Sequence, residues 1–344
     1  SSSIEAMGIV GGVAGMVRLA APLTDAAKPA ASVTVRNCTN RAAVRVTAAS
    51  AAGGILGLSY GADGAGLSIE GCVNEGAIGS DPGGSGSGGI AAGANGASIT
   101  GCVNRGSVTG KGAIAGIAPG ATNGTVADCV NEGAVTAIGS TTRAAGIVGV
   151  LNDTTVLRCS NAAGAAVSAG GAAGGKIEDC YNRAAVTASA GAAAGILALP
   201  PLSSSVLTVA SCYSTGAISG STASYGAVAP ATDLTTGSLT VRSSFYSTSA
   251  AGASGYAEAA APMAGVTGVT DAVLKSAATV TALNAGRFGE LAPWVAAPAG
   301  MNDGFPVFGE NTDTPTWANV GQMVDSGFLS GEGFLPAGDG TAGT

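Results

Sequence analysis

The chain has 344 residues, of which 58 are glycine; 46% are apolar, 10% charged and 4% aromatic. A formal net charge of −7 without a Lys/Arg cluster argues against nucleic acid, since nothing is present to displace phosphate counterions. Histidine is absent, which excludes Ser-His-Asp and Cys-His catalysis, HExxH zinc sites and histidine pH switches. Glycine without a Gly-X-Y period, beside abundant β-branched residues, points to a thin core of small side chains rather than to collagen or disorder.

The first apolar stretch, AMGIVGGVAGMV at 6–17, has the look of a signal-peptide core. Glu5 stands where a basic flank is needed, and the stretch matches an internal repeat, so it reads as the first copy of that repeat. No segment reads as a transmembrane helix, so membrane insertion is not expected. From there a phrase recurs around Cys38, Cys72, Cys102, Cys129, Cys159, Cys180 and Cys212, at spacings of 21 to 34 residues: NCTNRAAV, GCVNEGAI, GCVNRGSV, DCVNEGAV, RCSNAAGAAV, DCYNRAAV, SCYSTGAI. An eighth copy, SFYSTSA, sets Phe245 in the cysteine position. A second phrase falls between the copies: GGILG at 53–57, GGIAAG at 88–93, GAIAG at 112–116, AGIVG at 145–149 and AGILA at 194–198.

Each unit thus holds two or three short β-like runs broken by glycine, serine or asparagine, and no unit can bury its apolar face alone. Glycine interrupts every run, which disfavours helices. The expected fold is all-β: a right-handed parallel β-helix of about eight coils over residues 1–262, with equivalent residues stacked ~4.8 Å apart. Charges agree with stacking. The residue after the asparagine reads Arg41, Glu75, Arg105, Glu132, and the one before the cysteine Asp128, Arg158, Asp179. In register, opposite signs become cross-strand pairs of ~0.2–1 kcal/mol each.

The character changes near the C-terminus, where both tryptophans and five of six phenylalanines lie. Residues 263–309 are expected to form a small helix-containing cap over the last coil, with Val273, Leu274, Ala277, Val280 and Leu283 on one side of a helix capped by Thr270 or Asp271. Residues 310–344 read as a linker toward a further module.

The phrases Ile69–Ile78 and Ile99–Val108, alternating with Gly-Gly-Ile, resemble the GLUG-type repeats of large bacterial surface proteins, also found in non-catalytic regions of IgA-specific metallopeptidases. NDGFPVF at 302–308 is similar to the ending that closes such β-helices. The resemblance implies a secreted structural or adhesive module. Metallopeptidase chemistry does not carry over, because its histidines are missing.

The seven cysteines contain no CxxC and suit a buried column of free thiols rather than disulfides or a metal site. Asn40, Asn74, Asn104, Asn131, Asn161 and Asn182 suit a second ladder at a turn, where asparagine tolerates a left-handed backbone and its amide bonds along the stack. Tyr181, Tyr213 and Tyr246 form a candidate binding platform for a glycan or a protein if they face solvent, and a packed corner if they do not. The carboxylates are scattered; the one adjacent pair, Glu178-Asp179, has Arg158 and Arg183 nearby in the stack, which suits surface pairing and not a glycosidase.

The expectation is therefore a non-catalytic stalk or adhesin segment at a bacterial cell surface, needing no cofactor or metal, with a host or bacterial surface ligand as partner. Self-association into an extracellular filament by end-to-end or side-by-side β-helix stacking, and a carbohydrate-binding or carbohydrate-active β-helix, are the alternatives.

Overall fold

The computed structural model describes residues 3–18, 32–47, 50–60, 66–80, 86–138, 143–162, 166–168, 174–188, 192–198, 206–220, 223–228, 238–249, 264–287 and 294–309. The fold is a parallel β-solenoid, and successive repeats pair strand on strand in register. A nine-stranded sheet carries the Cys-x-Asn phrases and an eight-stranded sheet the runs just before them. A five-stranded sheet carries the Val/Ile runs that follow, and a ten-stranded sheet the Gly-Ile phrases, as two ladders joined by the long strand Arg143–Asn152. All four sheets run together through about five turns, against the eight coils expected; among the described residues the later repeats continue in the eight- and nine-stranded sheets and in two parallel pairs, Val186–Ala188 with Ile218–Gly220 and Ala192–Ala194 with Ala223–Tyr225.

The core is a set of aligned columns. Val35, Ile69, Ile99, Val126, Val156, Ile177, Val209 and Val241 follow one another along the eight-stranded sheet. The Gly-Ile phrase contributes Ile55, Ile90, Ile117, Ile147 and Ile196, all fully buried. In the third copy the aligned pair is Gly116-Ile117 and not the Gly112–Gly116 phrase, since Ile90 donates its N–H to Ile117 and Ile117 to Ile147. β-Branched side chains on a narrow solenoid fill the interior with restricted rotamers, which limits the entropy lost on stacking.

The turn entering each Cys-x-Asn phrase is left-handed. The residue before the cysteine position has φ between 42° and 62° in all eight copies: Asn37, Gly71, Gly101, Asp128, Arg158, Asp179, Ser211 and Ser243. The left-handed backbone expected at the ladder asparagines belongs instead to this preceding column, and the asparagines themselves sit in short strands. Glycine, asparagine and aspartate fit that conformation; Arg158 does not, and costs about 1–2 kcal/mol. Its guanidinium offsets this by donating to the buried Asp128 carboxylate of the neighbouring coil at 2.6 Å.

The C-terminal segment extends one sheet by a strand and then packs against its flank rather than over the end of the stack. Val266–Val269 adds a ninth strand beside Ser244–Ser247. The chain then turns onto the outer face of the nine-stranded sheet. The expected single helix is two, α1 (Asp271–Leu274) and α2 (Ala277–Ala285), because Ser276 begins a second helix by accepting the Thr279 N–H. Thr270 caps α1. Leu274 and Leu283 are buried, whereas Val273 points to solvent. Residues 310–344, read as a linker from the sequence, lie outside the described residues, as do Phe288, Trp317, Phe328 and Phe334. No helix among the described residues is long and apolar enough to cross a membrane.

Candidate functional site: the asparagine ladder and the aromatic flank

Strand alternation decides which residues of the phrase meet. In Cys-x-Asn the cysteine and the asparagine face the interior and the middle residue faces outward. Along the inner side, Asn40 Nδ2 donates to Asn74 Oδ1, Asn74 to Asn104, Asn104 to Asn131, Asn131 to Asn161 and Asn161 to Asn182, each at 2.8 Å. Asn182 then reaches Ser214 Oγ at 3.3 Å. The second proton of the amide goes to the carbonyl two residues on, as in Asn74 to Gly76 and Asn104 to Gly106, both at 2.9 Å. A buried amide with its donors and acceptor satisfied has no group left over for a ligand.

The ladder explains the second phrase. A Cβ on Gly54 would stand 2.5 Å from Asn74 Cγ, on Gly89 2.3 Å from Asn104 Cγ, and on Gly116 or Gly146 2.2 Å from Asn131 or Asn161 Cγ. Contacts below 3 Å are not tolerated, so the Gly-Ile phrase and the Asn of the cysteine phrase are two sides of one contact. The glycine after the asparagine has a similar origin. A Cβ on Gly76, Gly106 or Gly133 would lie 1.9–2.0 Å from the carbonyl oxygen of the preceding coil. Ala42 replaces that glycine in the first copy, whose strand Thr39–Asn40 is the terminal one of its sheet.

The cysteines line the same interior. All seven are free thiols; Cys38 is partly exposed and the other six are buried. Their Sγ atoms donate to the carbonyl two residues earlier, as in Cys129 to Ala127 at 3.2 Å and Cys212 to Ala210 at 3.1 Å. Burial pushes the Cys129 and Cys180 thiols well above the usual range, which suppresses the nucleophilic thiolate. A thiol reagent is expected to modify native protein at Cys38 alone, and denatured, unreduced protein at all seven, as counted by intact mass. Fewer than seven after denaturation would reveal a disulfide. The eighth position is held by Ser244 and not Phe245: Cys212 N–H donates to Ser244 Oγ at 3.4 Å, and Phe245 pairs with Tyr213.

That shift corrects the tyrosine platform. The outward column runs Tyr181, Tyr213, Phe245, while Tyr246 aligns with Ser214 in the asparagine column. Tyr181 and Tyr213 stack at 5.2 Å with nearly parallel rings, but they are 3% and 0% exposed. The C-terminal segment covers them, with Trp294 5.4 Å from Tyr213 and Phe308 5.4 Å from Tyr181. Tyr213 Oη donates to the Pro306 carbonyl at 2.7 Å and accepts from Asn302 Nδ2 at 2.8 Å. Arg183 donates to Asn302 at 2.8 Å and pairs with Asp303. The Asn-Asp-Gly turn is left-handed at three consecutive residues, with φ of 44°, 48° and 83°. These contacts offset that strain.

Comparison of the chain with protein-family models, curated proteins and solved structures gave no match.

The charges sort by depth. Arg41–Glu75 and Arg105–Glu132 pair across adjacent coils at 2.9 Å near the surface, where such pairs contribute at most about 1 kcal/mol. Glu178 pairs with Lys176. Asp179 does not meet Arg183. It accepts from Arg287 Nε at 2.9 Å and from Trp294 Nε1 at 3.0 Å, tying the C-terminal segment to the coil. No sequence spacing announces this pair, 108 residues apart.

Burial pushes the Asp179 carboxyl up to about 6, against the pull of Arg287. Its folded pKa is raised, so its stabilising contribution is complete below the unfolded value of ~3.9 and is lost as pH rises toward 6. Burial moves Asp128 in the same direction. Chemical denaturation should therefore show wild-type stability falling between pH 4.5 and 6.5 by about 2 kcal/mol more than in Asp179→Asn. Parallel profiles for the two proteins would mean that Asp179 is not buried against Arg287.

Proposed function

We propose that this chain is a rigid, non-catalytic spacer or adhesin segment of a secreted bacterial surface protein, of the kind its GLUG-type phrases resemble. The carrying observation is the asparagine ladder. The most regular polar feature of the sequence is consumed by the stack itself, amide to amide at 2.8 Å, so the repeat encodes length and stiffness. Two further observations support the reading. The one adjacent pair of coil carboxylates is engaged, Glu178 by Lys176 and Asp179 by Arg287 and Trp294. The tyrosines that a surface ligand would stack on are buried under the C-terminal segment.

Nine rungs at ~4.8 Å give a rise of roughly 40 Å that grows with each added coil, which suits a stalk. The surface ligand of an adhesin segment would be a host or bacterial glycan or protein, met by the outward loops between the columns. Pulling the chain from its two ends in a single-molecule force experiment tests the spacer reading. The expected trace holds its length and then unfolds in discrete force peaks. Gradual extension without a peak would remove the mechanical basis of the proposal.

A further inference from the structure

The C-terminal segment runs backward along the stack. It starts at the coil of Phe245, where Val266–Val269 pairs with Ser244–Ser247 and Ser247 Oγ donates to the Asp271 carboxylate of α1. One coil back, the Leu283 carbonyl near the end of α2 accepts from Ser211 Oγ at 2.7 Å. A further coil back, Asp179 accepts from Arg287 Nε at 2.9 Å and from Trp294 Nε1 at 3.0 Å. Phe308 then lies 5.4 Å from Tyr181, and Asp303 pairs with Arg183. Residue 309 therefore stands beside the coil of Tyr181, two coils short of Phe245, although it comes later in the chain.

The fastening differs from that of a coil. Coils join their neighbours through backbone ladders on several faces. Beyond Val269, no backbone–backbone hydrogen bond joins the described residues of the segment to the coils; side chains hold it, and its one strand pair, Trp294–Val295 with Val307–Phe308, is internal. Its buried Leu274, Leu283, Trp294, Phe305 and Phe308 belong to an apolar cluster separate from the column interior. A unit with its own small core and no shared ladder opens by itself, at a lower free energy than the whole. The reversed course adds a mechanical consequence. A pull on residue 309, directed away from the first coils, draws the tip back over α2 and α1. The contacts then bear the load in turn, Phe308 and Phe305 first, instead of sharing it.

We propose that residues 270–309 are a load-release strap: tension along the chain detaches them tip first, before any coil opens, and bares Tyr181, Tyr213 and Phe245 as a row of rings. At 3.3–3.6 Å per residue the roughly 40 released residues extend by about 130–140 Å, some three times the rise of the stack. The proposal rests on the spacer reading for the origin of its load. The stalk gains length while its coils stay whole, and presents under tension an aromatic surface that is covered at rest.

Single-molecule pulling of the full chain from its two ends tests it. Wild type should show a first, low-force event with a length gain of about 130–140 Å, followed by the larger coil peaks. Phe308→Ala and Arg287→Ala should each lower the force of the first event and leave the coil peaks unchanged. Gly116→Ala, in a coil remote from the strap, should do the reverse. Moving the second handle to a ligation tag inserted after Ser249 lets the load bypass the strap, and the first event should vanish. Coil peaks with no separate event before them overturn the strap and leave the spacer reading standing; extension without any peak removes both. A first event that persists with the handle after Ser249, or that ignores both strap variants, also overturns the proposal.

Discussion

Gly116→Ala should destabilise the protein by about 3 kcal/mol, near the upper end for forcing one methyl into a packed interior. The new Cβ would lie 2.2 Å from both Asn131 Cγ and the Gly146 carbonyl oxygen. Neither neighbour can retreat. Asn131 is held by Asn104 on one side and by Asn161 on the other, and the Gly146 carbonyl belongs to the backbone of the adjacent turn. The control lies four residues away in the same stretch. A Cβ on Gly120 meets nothing within 4 Å, so Gly120→Ala should shift stability by less than about 0.5 kcal/mol. Urea denaturation of the two variants beside wild type decides the matter. Equal, small losses would mean that the glycine phrase and the asparagine column do not face each other.

Asn104→Asp attacks the same ladder from its polar side. The aspartate can still accept from Asn74, but it loses the protons that Asn104 gives to Asn131 Oδ1 and to the Gly106 carbonyl. Two buried acceptors are stranded, and a carboxylate is set against them in the interior. The expected loss at pH 7 is about 3–5 kcal/mol. Protonation relieves part of it by restoring one donor, so the folded pKa of the new carboxyl is raised. The relief is complete below ~3.9 and disappears as pH rises through the folded value. The gap between variant and wild type should therefore narrow on acidification from pH 7 to 4. A gap that ignores pH would place residue 104 in contact with water.

Much of the solenoid was legible because its columns repeat in the sequence: the parallel β-solenoid class follows from cysteine, asparagine and glycine recurring in fixed local phrases. The reason for the glycine phrase was not legible, since Gly89 and Asn104 are 15 positions apart and nothing in the spacing shows that one excludes a side chain for the other. The left-handed column was hidden by Arg158, which breaks an otherwise readable run of Asn, Gly, Asp and Ser. Tyr246 was assigned to the wrong column because a hydroxyl, Ser244, replaces the thiol in the last copy, and an aromatic beside it looked like the natural substitute for a buried cysteine. The C-terminal segment was expected over the end of the stack. It lies mainly along the flank, through contacts such as Tyr213–Asn302 that join residues 89 apart and follow no repeat.

The ladder also has a direction. Each side-chain amide points its N–H toward the C-terminal neighbour and its oxygen back toward the N-terminal one, from Asn40 through Asn182. Six aligned amide dipoles then add along the rod axis, as peptide dipoles do along an α-helix, with the negative pole at Asn40. Reversing a single amide would bring oxygen against oxygen on one side and N–H against N–H on the other. The row therefore has two self-consistent states, all forward or all reversed, and the i+2 carbonyls that accept the second proton select the first. Such a row polarises itself and strengthens with its length. Coils added to the stack inherit the orientation of the coil before them, which gives the rod a built-in sense from one end to the other.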